Sequence, residues 1–232
     1  PMTESRPQGN HPAMAYDAAR QRTLVFDGSP TPSETWEWQN TSTWAQRTIT
    51  VTPPSRFTRA LAYDSMRQRV VLFGGATRTA GVLDDTWEWN GTAWLQRTSA
   101  VSPPARSEHA IAYDSTRQRV VLFGGYAGSS GGAPLVSLGD TWEWDGTAWL
   151  QRTSAVSPPA RFAHALAYDS ARQRVVLFGG YAGNLVGKLN DTWEWDGTSW
   201  LQRTPPVAPR TRFRHAMGYD PVRQRVVLFG GE

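Results

Sequence analysis

The sequence predicts an all-β fold, a β-propeller of four-stranded antiparallel blades, on three observations. The chain repeats itself: Tyr-Asp recurs at Tyr16, Tyr63, Tyr113, Tyr168 and Tyr219, in steps of 47, 50, 55 and 51 residues. Trp-Glu-Trp begins at Trp36, Trp87, Trp142 and Trp193, and a third Trp follows at Trp44, Trp94, Trp149 and Trp200, which accounts for all 12 Trp of the chain. Within each repeat lie four short apolar segments separated by turn residues, too short for stable helices and suited to strands.

The fourth repeat shows the segments in order. The first, His164 to Asp169, is small and apolar and ends in Tyr168. Arg174-Val175-Val176-Leu177-Phe178 is a continuous β-branched and aromatic run, as expected of a strand buried on both faces. In Thr192-Trp193-Glu194-Trp195 the two Trp are two positions apart and share one sheet face, with Glu194 on the other. The last runs from Trp200 through Thr204. Asp196-Gly197, Asp145-Gly146 and Asn90-Gly91 are two-residue hairpin signals between segments three and four. Asp169 to Arg172 makes a tight turn between the first two segments, Gly179-Gly180 ends the second, and Pro158-Pro159 stops segment four of the preceding repeat.

Composition excludes several functions. With 0 Cys the 232-residue chain has no disulfide framework, no Cys-ligated zinc and no thiol nucleophile. No apolar run is long enough to span a bilayer, and residues 1–12 lack the pattern of a signal peptide. The formal charge is +4, but the arginines are spread through every repeat among acids, so no basic patch points to nucleic acid.

The double glycines Gly74-Gly75, Gly124-Gly125, Gly179-Gly180 and Gly230-Gly231, the aromatic pair of segment three and the Trp opening segment four resemble the kelch repeat family. The resemblance extends from Ala13 to Gly231 and implies a kelch-type propeller. Trp89, Trp144 and Trp195 stand where the family usually has Tyr, and the following hairpin is shorter than usual. The first repeat is degenerate, with Asp27-Gly28 in place of the double glycine and Gln39-Asn40-Thr41 at its hairpin. Residues 1–12 read as an irregular segment, followed by repeats at about 13–55, 56–105, 106–160 and 161–211 and a half repeat at 212–232. That makes about four and a half blades. The text therefore reads as a fragment of a larger ring; the alternative is a chain that closes by oligomerising.

Two faces follow from an up-down-up-down blade. One carries the uniform hairpin turns and reads as scaffold. The other carries the blade-crossing loops and the variable loops after the double glycines: Ala76 to Leu83, Tyr126 to Gly139 (with Ser129-Ser130-Gly131-Gly132), and Tyr181 to Asn190. Variable loops on a rigid scaffold are where binding concentrates, and the resemblance implies peptide binding on this same face. Arg56, Arg106, Arg161 and Arg212 enter it, each just before segment one. They are either fork-shaped donors for carboxylate or phosphate groups of a partner, or partners of acids of the neighbouring blade such as Asp85, Asp140 or Asp191. Tyr126 and Tyr181 are the candidates for sugar contact. His109, His164 and His215, with Arg59 at the equivalent place, read as structural rather than metal-binding, and the Trp set reads as core.

Enzyme readings lack their residues. Copper radical oxidases with kelch-like propellers need a Cys cross-linked to a catalytic Tyr, and Asp145-Gly146-Thr147-Ala148-Trp149 does not keep the spacing of a sialidase Asp box. The sequence is thus expected to encode a non-catalytic binding scaffold without a cofactor, recognising a protein or peptide, acidic ones included. A carbohydrate-binding propeller is the alternative, and part of a propeller hydrolase a distant one.

Overall fold

The computed structural model describes residues 7, 13–28, 33–39, 43–58, 60–78, 81–128 and 136–232. Every regular element among them is a strand. β1 (Ala13–Asp17), β2 (Arg22–Asp27), β3 (Glu34–Gln39) and β4 (Thr43–Gln46) form the first antiparallel sheet. The second comprises β5 (Ala60–Asp64), β6 (Arg69–Ala76), β7 (Val82–Trp89) and β8 (Trp94–Arg97). In the third, β9 (Ala110–Asp114) and β10 (Arg119–Phe123) are followed by a small separate pair, β11 (Tyr126–Ala127) and β12 (Val136–Ser137), before β13 (Thr141–Trp144) and β14 (Trp149–Arg152) complete the sheet. The fourth holds β15 (Ala165–Asp169), β16 (Arg174–Tyr181), β17 (Lys188–Trp195) and β18 (Trp200–Arg203), and a terminal pair, β19 (His215–Asp220) and β20 (Arg225–Gly230), ends the chain. Each first strand lies against the first strand of the next sheet, which gives a propeller-like stack.

The core lies between the sheets. Trp193, Trp195 and Trp200 of the fourth sheet pack on Val121 and Phe123 of the third, and Trp142, Trp144 and Trp149 of the third pack on Val71 and Phe73 of the second. Each such Trp buries on the order of 150–250 Å², or roughly 4–6 kcal/mol of transfer free energy. Period-two alternation turns the Trp pair back toward the preceding sheet and leaves the intervening Glu on the forward face. That face is buried too, and its polar atoms are used: Trp200 Nε1 donates to Thr141 Oγ1 and Trp195 Nε1 to Glu143 Oε1 of the preceding sheet.

The double glycine differs from expectation. In β6 and β16 the strand runs through it, with a register shift between Phe178 and Gly180. Gly179 and Gly180 have φ of 61° and 102°, and a Cβ on Gly179 would sit 2.7 Å from the carbonyl oxygen of Arg212. The pair makes a bulge against the incoming crossing loop, whose Arg212 carbonyl accepts from Gly180 N at 2.9 Å. The expected N-terminal segment lies outside the described residues apart from Pro7, as do residues 40–41 of the first hairpin.

Candidate functional site

Crossing loops and post-glycine loops meet on one face, as isolated bridges join Phe57 to Ala76, Ser107 to Tyr126 and Phe162 to Tyr181. Beneath them an inner chain of backbone hydrogen bonds links successive sheets. Glu108 N donates to Thr58 O, Ala163 N to Glu108 O and Arg214 N to Ala163 O. These four residues all hold positive φ between 50° and 56°, the left-handed conformation that turns each N–H toward its predecessor.

Three of the four candidate arginines are enclosed. Arg56, Arg106 and Arg161 are fully buried, and each grips one carboxylate with both Nη atoms: Asp85, Asp140 and Asp191 respectively. Nε donates to a proline carbonyl and Nη1 also to a double-glycine carbonyl, so Arg106 meets Pro104 O at 2.9 Å and Gly124 O at 3.0 Å. This is the second of the two alternatives, with one correction: the acid belongs to the repeat that the arginine opens, not to the neighbouring one. Burial alone would raise the Asp140 pKa, but the Arg106 guanidinium and the Trp142 indole hold it below the usual carboxylate range. Arg212 is different. It reaches Gly230 O at 2.8 Å and Arg210 O at 3.3 Å, and among the described residues it meets no carboxylate.

Tyr126 and Tyr181 are half-buried and belong to a larger array. Their rings pack against Phe162 at 5.3 and 5.4 Å, and Tyr181 packs on Phe213 at 5.8 Å, so that four rings form a row across the third and fourth sheets and the terminal pair. Lys188 Nζ stands 5.1 Å from the Phe213 ring centroid and the Arg214 guanidinium 5.4 Å from it, giving one end of the row a cationic rim. Arg214 also pairs with Glu108 at 3.1 Å. Beside the row, Ala182–Gly187 closes as a hydrogen-bonded turn that leaves Leu185 and Val186 exposed at its tip. Sequence reading missed Phe162 and Phe213. Their signal was position alone, each directly after a candidate arginine.

His109, His164 and His215 are buried beneath this face, edge-on to Phe73, Phe123 and Phe178. Their ring nitrogens are buried and make no well-aligned hydrogen bond among the described residues. Burial, with the charge of Arg106, pushes the His109 pKa down to about 3; burial likewise pushes His215 to about 4 and His164 well below its usual value. No group of three metal-ligating side chains forms among the described residues. Arg59 and residues 129–132 lie outside them. Among the described residues no helix is long and apolar enough to cross a membrane.

No protein-family model matches the sequence, and no curated protein matches it either. The fold does have solved counterparts. The chain is similar to the solved structure titled "Structure of YjhT", with a TM-score of 0.72 and 14% identity, covering 98% of this chain and 74% of that one. At that identity the likeness is one of fold, and it agrees with the propeller-like stack of four-stranded sheets.

Proposed function

We propose that the chain is a kelch-type propeller acting as a non-catalytic binding scaffold, which recognises a protein or peptide on the face of crossing and post-glycine loops. The observation that carries this reading is the row Tyr126, Phe162, Tyr181 and Phe213 with its cationic rim at Lys188 and Arg214. Half-buried aromatic rings offer apolar contact area at small entropic cost, and the cations favour an acidic or carboxylate-bearing segment. Leu185 and Val186, presented on a tight turn beside the row, add an apolar anchor. Arg56, Arg106 and Arg161 serve this face by holding the loops in place, and Arg212, bound to backbone carbonyls, meets no carboxylate among the described residues.

A carbohydrate ligand is the second reading, favoured by the partly exposed Tyr126 and Tyr181 rings, on which a sugar could stack. Panning a random peptide library and a glycan array separates the two. A peptide ligand should lose at least about tenfold in affinity on Phe162→Ala or Lys188→Ala, the scale of a buried aromatic or paired charge in an interface. A sugar should respond to Tyr181→Ala and ignore Lys188→Ala. Ligands indifferent to all three substitutions would remove this face from consideration.

A further inference from the structure

The repeats copy one another so closely that their differences can be read one by one. Residues 86–128 and 141–183 differ only at Asn90 against Asp145, Ser107 against Phe162, Glu108 against Ala163, Ile111 against Leu166 and Thr116 against Ala171. Asn90 and Thr116 lie in hairpin turns on the opposite face, and Ile111 exchanges one apolar side chain for another. Ser107 and Glu108 are different. They are consecutive, they lie in a crossing loop, and both bring polar atoms into a buried place. Ser107 is fully buried at the position that Phe57, Phe162 and Phe213 hold in other repeats. The Glu108 side chain is only 9% exposed, at the position held elsewhere by Thr58, Ala163 and Arg214.

The protein leaves both of them partly unsatisfied. Among the described residues Ser107 Oγ and Glu108 Oε2 have no hydrogen-bond partner. The carboxylate meets Arg214, whose Nη2 donates to Oε1 at 3.1 Å, and that arginine side chain is 52% exposed. Thr58 makes no claim on the carboxylate, because its hydroxyl donates to Phe57 O at 2.7 Å. The backbone beneath is fixed, since Glu108 N donates to Thr58 O at 3.0 Å and Glu108 O accepts from Ala163 N at 2.8 Å. Glu108 lies between the second and fourth sheets, each of them four-stranded.

A buried carboxylate held rigidly with one oxygen unused costs stability. A planar cation with two parallel N–H groups would satisfy both oxygens at once. Arg214 contacts one oxygen only, and its guanidinium also stands 5.4 Å from the Phe213 ring, a second place to rest when the carboxylate is taken. We propose that Glu108 is an anionic subsite at the inner rim of the loop face, which takes the guanidinium of an arginine side chain on a peptide or protein ligand, and that Arg214 is the resident cation this ligand displaces. Guanidinium is preferred to ammonium because only the fork reaches both oxygens together. The subsite stands on Glu108 and does not require the aromatic row to bind. On the same face it adds a position opposite in charge to Lys188.

The probe is Nα-acetyl-arginine amide, titrated into the isotope-labelled chain and followed through backbone amide shifts by NMR. Saturable shifts are expected at Glu108, Ala163 and Arg214, with Kd on the order of 1–10 mM. Nα-acetyl-citrulline amide, the same shape without the charge, should bind at least about tenfold more weakly. Glu108→Gln should weaken the arginine compound by a similar factor, about tenfold or more. Arg214→Ala should instead tighten it, roughly twofold to fivefold, because it removes the competitor from a half-exposed pair. A purely structural ion pair would not give opposite signs for its two partners. No saturable shift by about 50 mM would mean that solvent alone meets the unused oxygen, and would overturn the proposal. So would equal binding of the citrulline compound, indifference to Glu108→Gln, or weaker binding to the Arg214→Ala protein. Nα-acetyl-lysine amide binding as tightly as the arginine compound would overturn the guanidinium assignment. The probe carries neither an aromatic ring nor an acid, so failure of this subsite leaves the aromatic-row reading standing, and failure of the row leaves this test unchanged.

Discussion

Arg67 of the second sheet fills the space that any side chain at Gly146 of the third would need: a Cβ there would lie 2.1 Å from its Nε. Gly146 also has φ of 93°. The hairpin glycine therefore serves its own turn and the seam between sheets at once. Gly146→Ala should cost about 1–3 kcal/mol, combining positive-φ strain with displacement of Arg67. In an Arg67→Ala background the cost should shrink toward the strain alone. Chemical denaturation of the four proteins of this double-mutant cycle gives the coupling.

Arg106→Gln should be among the most damaging single changes. It leaves Asp140, with a side chain only 19% exposed, without its counter-charge, at a cost of about 3–5 kcal/mol. Arg212→Gln removes the same chemical group from a half-buried place where it meets no acid among the described residues, and should change stability by no more than about 1 kcal/mol. Denaturation midpoints of the two variants, compared with the parent, check the contrast.

Acid should unfold the chain before its carboxylates alone would require. The buried histidines have folded pKa values below their unfolded value, so between pH 6.5 and about 3 the unfolded state binds more protons than the folded one. Their contribution is complete above that window and falls as the pH drops through it, by about 1.4 kcal/mol per pH unit for each histidine. Asp140 and Asp191, held low against the raising effect of burial by Arg106 and Arg161, act in the same direction lower down. Thermal melts from pH 7.5 to 4 should show a steep decline that His109→Phe makes shallower.

Glu143 takes the indole of Trp195 at 3.0 Å on one oxygen and Arg152 at 2.7 Å on the other, with only 2% of its side chain exposed. Glu143→Leu should cost about 2–4 kcal/mol, since it strands a buried indole N–H and a partly buried guanidinium together. Trp195→Phe should cost less in the Glu143→Leu background than alone, and urea midpoints measure the difference.

Strand positions, hairpin turns and the Trp core were legible because each depends on local period and turn chemistry. Glu88 and Glu143 were legible only to the level of a sheet face. Period two places Glu opposite Trp, but it does not reveal that the next sheet stacks there and makes that face buried. The arginine loops left two readings open for a related reason: a fork before segment one looks the same whether its acid lies in the chain or in a ligand. Only the return of segment three beside the crossing loop decides this for Arg56, Arg106 and Arg161. Phe162 and Phe213 escaped notice because a single ring after an arginine has no periodicity, and the row exists only once adjacent sheets align.

The most direct test of the proposed binding face is hydrogen–deuterium exchange on the chain with and without a peptide selected from the library. Protection is expected at Tyr126, Phe162, Tyr181 and Phe213 and along the Ala182–Gly187 turn. Protection confined to the opposite hairpin turns, at Asp114 to Gln118 and Asp145 to Ala148, would contradict the account.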